Sequence, residues 1–295
     1  MNTSTVDLTV SQLNTDGYFK TNIYSCLDSD GRRCFKENSD FFKKMGADPD
    51  IRREIELSRT DPQARRQKTG GKPFEITHRD YLKRALTLQD AAFIKFYLND
   101  YFTEVAQQFL GVDNPYLFNV LPWMHCGVPG QTREHSQNWH RDREDYKLLK
   151  IFVYYSDVGK LNGPLEYVPR SFCGGDFHGI YKGRGGYWDY TSSPANTGHP
   201  LNQEEVKACN DTYVSFTGKA GDIILSNNSG FHRGGFVQEG VRIMTHALYI
   251  APTAELINNG YFSSFNYDPS GVNYIDFASE DFQKLTHKQK HFKQL

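Results

Sequence analysis

The stretch QNWHRDREDYKLLKIFVYY, residues 137–155, holds the residues best suited to chemistry. His140 and Asp142 flank Arg141, just before an apolar run rich in β-formers. Residues i and i+2 of a strand point to the same side. A His and an Asp so placed can grip one cation from one direction. His232, in SGFHRGGFVQEGVRIMTHALYI, is the candidate third ligand. Two imidazoles and one carboxylate form the ligand set of non-haem iron(II) oxygenases, which leave further metal positions open. His140, Asp142 and His232 are therefore the candidate metal ligands and catalytic residues.

Each residue also has an ordinary reading. His140 suits a cap or a core, and Asp142 a pair with Arg141 or Arg143. His232 suits a loop between Gly230 and Gly234, and Arg242 a surface charge. Their joint order favours the functional reading. The pair precedes a strong strand run, and the second His comes where a barrel could return the chain to the same mouth. Arg242 lies on the next run. His135, His178 and His199 fall in loop-like sequence and are assigned no role. His246 shares a strand face with Arg242 and Met244, so it is expected to line the cavity rather than to ligate.

The elements that must position these residues are mostly short strands. From Tyr116 onward, β-like runs alternate with turns: 116–126, WHRD and its surroundings, 147–158, 164–168, 212–216, 222–226, 231–237 and 241–250. Short strands at this spacing argue a sandwich or barrel, and eight in two sheets is the jelly-roll number. The expected class is mainly β with flanking helices: a double-stranded β-helix (cupin-like jelly roll) buttressed by N-terminal helices. Before it, residues 5–15 read as a helix, Asp16-Gly17 as a turn and 18–24 as a strand suited to a sheet edge. Residues 34–72 are charged with little apolar period, and 61–73 read as a loop. Residues 86–110 read as one helix with an aromatic stripe, ended by Gly111. Residues 169–211, rich in Gly and aromatics, read as a lid over the barrel mouth. The expected organisation is a single domain over 1–295, with an N-terminal region to 115, a core over 116–250 and a C-terminal extension.

Composition narrows the class further. The 295 residues can bury a sizeable core, and a net charge of −1 gives no global attraction to nucleic acid or anionic membrane. No apolar run is long enough to span a bilayer, and the first residues lack a signal-peptide pattern. Five scattered Cys, an odd number, suit reduced thiols in a cytoplasmic setting.

The pieces WHRD, KLLKIFVYYSDV, NGPLEYVPRS, GKAGDIIL and SGFHRGG followed by Arg242 stand in one order over about residues 116–250. In that order the chain resembles the phytanoyl-CoA dioxygenase family of Fe(II)/2-oxoglutarate oxygenases. LNTDGYF near the start also fits. One departure is visible: many members carry Gly-Ser-His after the Val-Pro, where this chain has Arg170, Ser171 and Phe172. The resemblance implies that His140, Asp142 and His232 hold Fe(II) and that Arg242 clamps the distal carboxylate of 2-oxoglutarate. Gln137 stands where relatives use a Gln for the same cosubstrate. It implies consumption of O2, release of succinate and CO2, and hydroxylation of a C–H bond of a small molecule. Related halogenases replace the carboxylate by a small residue, so Asp142 argues hydroxylation, or a related desaturation or cyclisation.

The lid composition suggests a polar or aromatic substrate, such as a biosynthetic intermediate or an amino-acid-like compound. Tyr187, Trp188 and His246 are candidate substrate contacts, with no nucleic-acid or membrane partner expected. Two rivals remain at this stage. A non-catalytic metal- or sugar-binding jelly roll gives no reason for Arg242. A zinc hydrolase lacks a clear base, Glu144 being the nearest.

Overall fold

The computed structural model describes residues 4–69, 72–83, 86, 90–142, 144–176 and 203–254. Nine strands lie among them: β1 (Tyr18–Asn22), β2 (Glu75–Thr77), β3 (Tyr116–Cys126), β4 (Leu149–Tyr154), β5 (Leu165–Tyr167), β6 (Val214–Phe216), β7 (Asp222–Asn227), β8 (His232–Arg233) and β9 (Val241–Ile250). The larger sheet has the order β1-β7-β4-β9-β3-β2 and the smaller β6-β5-β8. Every pairing is antiparallel. This is the expected jelly-roll arrangement with the sheets left distinct. Beyond the ladders there are single bridges, His140 with His232, Val158 with Gly218 and Asn162 with Val237.

Strand alternation divides the larger sheet into two working faces. Leu149, Ile151, Val153, Ile223, Leu225, Ala247 and Tyr249 join Phe42, Phe96, Phe102 and Val105 in a core on the helix side. Phe152, Tyr154, Ile224 and Met244 face the other way, onto Leu165, Tyr167 and Phe216 of the smaller sheet. Lys150, Arg242 and His246 share this inner face by alternation.

The N-terminal region supplies the helix layer and both edges of the larger sheet. Helix α1 (Thr5–Thr15) opens with a capping box between Ser4 and Asp7. Gly17, at φ +85°, turns the chain into β1 against β7. The four-residue α2 (Ile23–Cys26) follows, then α3 (Ser29–Ala47) and α4 (Pro49–Thr60). Asp48 caps α4, and Pro49 begins it.

The loop expected over 61–73 is corrected, because residues 62–69 form α5 (Pro62–Thr69). Its buried side is ionic, which hid it from apolar periodicity. Arg65 is 1 % exposed and bonds Glu54 at 2.8 Å, Asp80 at 3.3 Å and the Glu75 carbonyl at 2.9 Å. After α6 (His78–Leu82), the single helix expected over 86–110 is two, α7 (Ala91–Tyr97) and α8 (Asp100–Leu110). The Asn99 side chain accepts the Tyr101 N–H and starts the second; Gly111 ends it at φ +72°.

Two further expectations change. WHRD forms no strand but only the bridge at His140. The end of the 169–211 insertion is helical, α9 (Gln203–Thr212), with Cys209 buried against Trp139, Val168 and Phe231. Tyr181, Tyr187, Trp188, Tyr190, His178, His199 and the tail from 255 lie outside the described residues. The five Cys are free thiols. No helix among the described residues is long and apolar enough to cross a membrane.

His78 opens α6 and is 2 % exposed. Burial, helped by Arg79, lowers its pKa from 6.5 to about 4. An unfolded His78 takes a proton near 6.5, whereas the folded one waits until about 4. Stability is therefore lost as pH falls through this window, by up to roughly 3 kcal/mol. His78→Leu should flatten that acid limb in denaturant titrations at stepped pH. An unchanged slope would assign the acid sensitivity to other groups.

Candidate metal centre

Three remote segments meet between the sheets. The His140 N–H donates to the His232 carbonyl at 3.0 Å, and the His232 N–H to the His140 carbonyl at 2.9 Å. The Asp142 N–H donates to the Asn228 carbonyl at 2.9 Å. These main-chain bonds aim His140 and Asp142 the same way without a regular strand. One ligand atom from each of His140, Asp142 and His232 lies within 4.8 Å of the other two. The imidazole centroids are 4.2 Å apart, and Asp142 Oδ1 lies 3.9 Å from His140 Nε2 and 3.5 Å from His232 Nε2.

Hydrogen bonds fix which nitrogen is free. His140 Nδ1 donates to the Asn138 carbonyl at 2.9 Å, and His232 Nδ1 to the Gly230 carbonyl at 2.9 Å. A carbonyl only accepts, so both Nδ1 atoms carry a proton and Nε2 is the nitrogen each ring can offer a cation. Burial, then the neighbouring His232, lowers the His140 pKa to about 3. For Asp142 burial acts upward, but Lys150 and His232 outweigh it and hold the carboxyl well below the usual range. The site thus presents two imidazoles and one carboxylate. The Asn228 Nδ2 group lies 2.9 Å from His232 Nε2, the lone pair a cation would take, and donates to Asp142 Oδ2 at 3.0 Å. The donor set fits a divalent transition metal.

Lys150 completes the carboxylate's surroundings. Its Nζ is 2.6 Å from Asp142 Oδ2, so Oδ1 is left facing the imidazoles. Arg141 is engaged elsewhere, over the Phe231 ring at 3.9 Å and on the Ser171 carbonyl at 2.9 Å. At the departure after Val168-Pro169, Arg170 takes the left-handed φ of +57°, which favours glycine. Ser171 keeps a structural task there, its Oγ accepting the Phe231 N–H at 2.6 Å next to His232.

Arg242 is 3 % exposed on the same inner face. It donates through Nη1 to the Gly163 carbonyl and through Nη2 to His125 Nδ1 at 3.2 Å. Its Nε is buried with no hydrogen-bond partner among the described residues. His246, 3 % exposed, packs edge-on to Trp123 at 4.5 Å and Phe152 at 5.6 Å. Its Nδ1 likewise has no partner among the described residues. Gln137 is buried in a 3-10 turn (His135–Gln137), where Oε1 accepts the Glu134 N–H at 3.0 Å. Arg233 points to the opposite face from His232. There it bonds Glu166 and lies over the Trp139 ring at 4.1 Å.

Sequence reasoning missed Lys150, Asn228, His125 and Glu75. Lys150 was accessible, since it alternates with Phe152 and Tyr154 on the strongest strand run. Glu75 carried no signal, because its short strand follows the stretch read as a loop.

Comparisons with known proteins follow this geometry. No match is found among curated proteins. The epimerase SnoN in complex with Fe3+, α-ketoglutarate and nogalamycin RO superposes with a TM-score of 0.52 at 14 % identity, over 84 % of each chain. The carbocyclase SnoK from nogalamycin biosynthesis gives 0.49 at 14 % identity, over 89 % of this chain and 91 % of that one. EctD from S. alaskensis with 2-oxoglutarate and 5-hydroxyectoine gives 0.47 at 18 % identity, over 82 % and 74 %. At this identity the likeness to SnoN speaks for the fold alone. The family model for phytanoyl-CoA dioxygenase (PhyH) matches residues 39–238, more than half the chain. The chain belongs to the phytanoyl-CoA dioxygenase family of iron- and 2-oxoglutarate-dependent oxygenases.

Proposed function

We propose that this oxygenase hydroxylates a C–H bond of a polar small molecule, with His140, Asp142 and His232 as the iron ligands and Arg242 as the cosubstrate clamp. The observation that carries the reading is a carboxylate grouped with two imidazoles, whose ion-pair partner Lys150 shares a sheet face with buried Arg242. When bound, iron and 2-oxoglutarate together supply the oxidation of the substrate, with O2 as oxidant and succinate and CO2 as by-products. The chain's own residues bind, orient and exclude water. Lys150 and Asn228 hold Asp142 Oδ2, which favours a single carboxylate oxygen toward the metal. The Nε–H of Arg242, without a partner among the described residues, suits a carboxylate removed from water, since a buried donor left unmade is costly.

Gln137, buried just before His140, is read as a further cosubstrate contact. His246, with its free buried nitrogen beside Trp123 and Phe152, is read as a substrate contact. Tyr187 and Trp188, outside the described residues, are read as lid contacts. A polar substrate, such as a biosynthetic intermediate or an amino-acid-like compound, suits an inner face that carries Lys150, Asn228 and His246. The deciding experiment is a succinate-release screen of such compounds with Fe(II), 2-oxoglutarate and O2. A product heavier by one oxygen supports hydroxylation. A product lighter by two hydrogens overturns it in favour of desaturation or ring closure.

Three variants test the roles. Anaerobic addition of Fe(II) and 2-oxoglutarate should give a weak visible charge-transfer band, and His232→Ala should abolish it. A band that survives the substitution removes His232 from the ligand set. Lys150→Met should weaken Fe(II) by roughly 10–100-fold, the usual scale for groups that orient a ligand, as read by competition with a chelator. Unchanged affinity would make the Lys150 ion pair incidental. Arg242→Ala should leave Fe(II) affinity intact and weaken 2-oxoglutarate by about thirty-fold or more, the effect of unpairing a desolvated charge. Arg242→Lys should recover only part, because an ammonium lacks the planar fork. An unchanged 2-oxoglutarate dependence in Arg242→Ala would remove the clamp from Arg242.

A further inference from the structure

Arg242 sits at the end of a row that crosses three neighbouring strands. Glu75 of β2 is paired in register with His125 of β3, and His125 with Arg242 of β9. The contacts follow the register. His125 Nδ1 lies 3.2 Å from Arg242 Nη2, and His125 Nε2 lies 3.7 Å from Glu75 Oε1. Lys72 Nζ stands 3.3 Å beyond, on the same Glu75 oxygen, and 3.4 Å from Ser136 Oγ in the turn before Gln137.

The direction of every proton in this row is determined. A guanidinium has five donors and no acceptor, so His125 Nδ1 must offer its lone pair. The ring proton then lies on Nε2 and faces Glu75. Burial, then the Arg242 charge, brings the His125 pKa down to about 4, so the ring is neutral. For Glu75 burial acts upward, but His125 and Lys72 outweigh it and hold the carboxyl down at about 2. The ring is also hemmed in, with Trp123 edge-on at 5.3 Å and Phe74 at 6.0 Å. On the other side the Gly163 carbonyl takes Arg242 Nη1, and Nε alone is left buried without a partner among the described residues.

We propose that His125 is a positioning residue for Arg242: its neutral ring, backed by Glu75, accepts from the guanidinium and presents the remaining N–H edge to the 2-oxoglutarate carboxylate. The inference rests on the clamp reading of Arg242 given above. Orientation fixed before binding lowers the entropy cost of binding. His125 is not in the candidate metal-ligand group and acts through Arg242.

The test is anaerobic titration of the Fe(II)-loaded protein with 2-oxoglutarate, followed by the charge-transfer band and by calorimetry. Fe(II) affinity and melting temperature are measured alongside. His125→Leu removes the acceptor and should weaken 2-oxoglutarate about ten-fold, the scale of one hydrogen bond to a charged group. Its Fe(II) affinity should stay within about two-fold, inside the scatter between independent sites. His125→Asn carries an amide oxygen near the Nδ1 position and should recover most of the loss. His125→Gln reaches toward Glu75 instead and should behave like His125→Leu. The double variant with Arg242→Ala should bind no more weakly than Arg242→Ala alone, because both substitutions remove one unit.

The proposal is overturned if Arg242→Ala weakens 2-oxoglutarate while His125→Leu does not. It is equally overturned if Asn and Leu at 125 are equally damaging, or if the double variant's losses add. An Arg242→Ala protein with wild-type affinity fails the clamp reading first, and the proposal with it. Should His125→Leu not fold, the contrast between His125→Asn and His125→Gln decides.

Discussion

The two main-chain hydrogen bonds exchanged by His140 and His232 are the constraint on which the rest of this site depends. They join a segment with no regular strand to a strand of only two residues, β8. Neither piece is stable in place by itself, because a lone pair of short strands is marginal in water. Their register comes from elsewhere: Tyr167 pairs with His232 on one side, and the Asn228 carbonyl holds Asp142 on the other. With the backbones locked, the imidazoles are forced to within 4.2 Å of each other. Burial keeps the His140 ring neutral, so the proximity does not set two positive charges against each other.

Charge is managed in the same way throughout the inner layer. Asp142 is matched by Lys150, Glu75 by Lys72, and Glu166 by Arg233. Burying a charge is costly unless it is paired and hydrogen-bonded. The charged residues therefore come as sets, and removing one member should harm more than removing the set. Arg65 with Glu54 and Asp80 repeats the pattern under the helices, away from the chemistry. These pairs tie α4, α5 and α6 together, and the Arg65 bond to the Glu75 carbonyl seats Glu75 at the end of the row that reaches Arg242.

Much of the fold was legible because apolar alternation is a direct record of two-sided burial. Strands β3, β4, β7 and β9, and the helices α1 and α8, follow their periods closely. What escaped was held by polar groups. Helix α5 buries an arginine rather than a leucine, so no hydrophobic period marked it. The break between α7 and α8 is set by one Asn99 cap within a continuous aromatic pattern. The WHRD segment looked like a strand because its residue spacing suits one, yet the bonds that aim it come from Asn228 and His232, far along the chain. His140, Asp142 and His232 were singled out from type and order, and the structure groups their ligand atoms; Arg242 lies on the larger sheet's inner face, with Lys150. Their supporting residues, Lys150, Asn228 and His125, depend on pairing partners that no local window contains.

The order of the larger sheet has a consequence for what counts as the heritable unit. The family match ends at 238, yet β9 begins at Val241 and runs between β4 and β3, with its neighbours on both sides. The match begins at 39, yet β1 covers the outer side of β7. A fragment cut at the recognisable limits would lose the central plank of the sheet and expose three new unpaired edges, on β7, β4 and β3, the kind of surface that recruits other chains. The recognisable segment and the cooperative unit are thus different objects. The family match covers the former, while the sheet requires the flanks on either side of it.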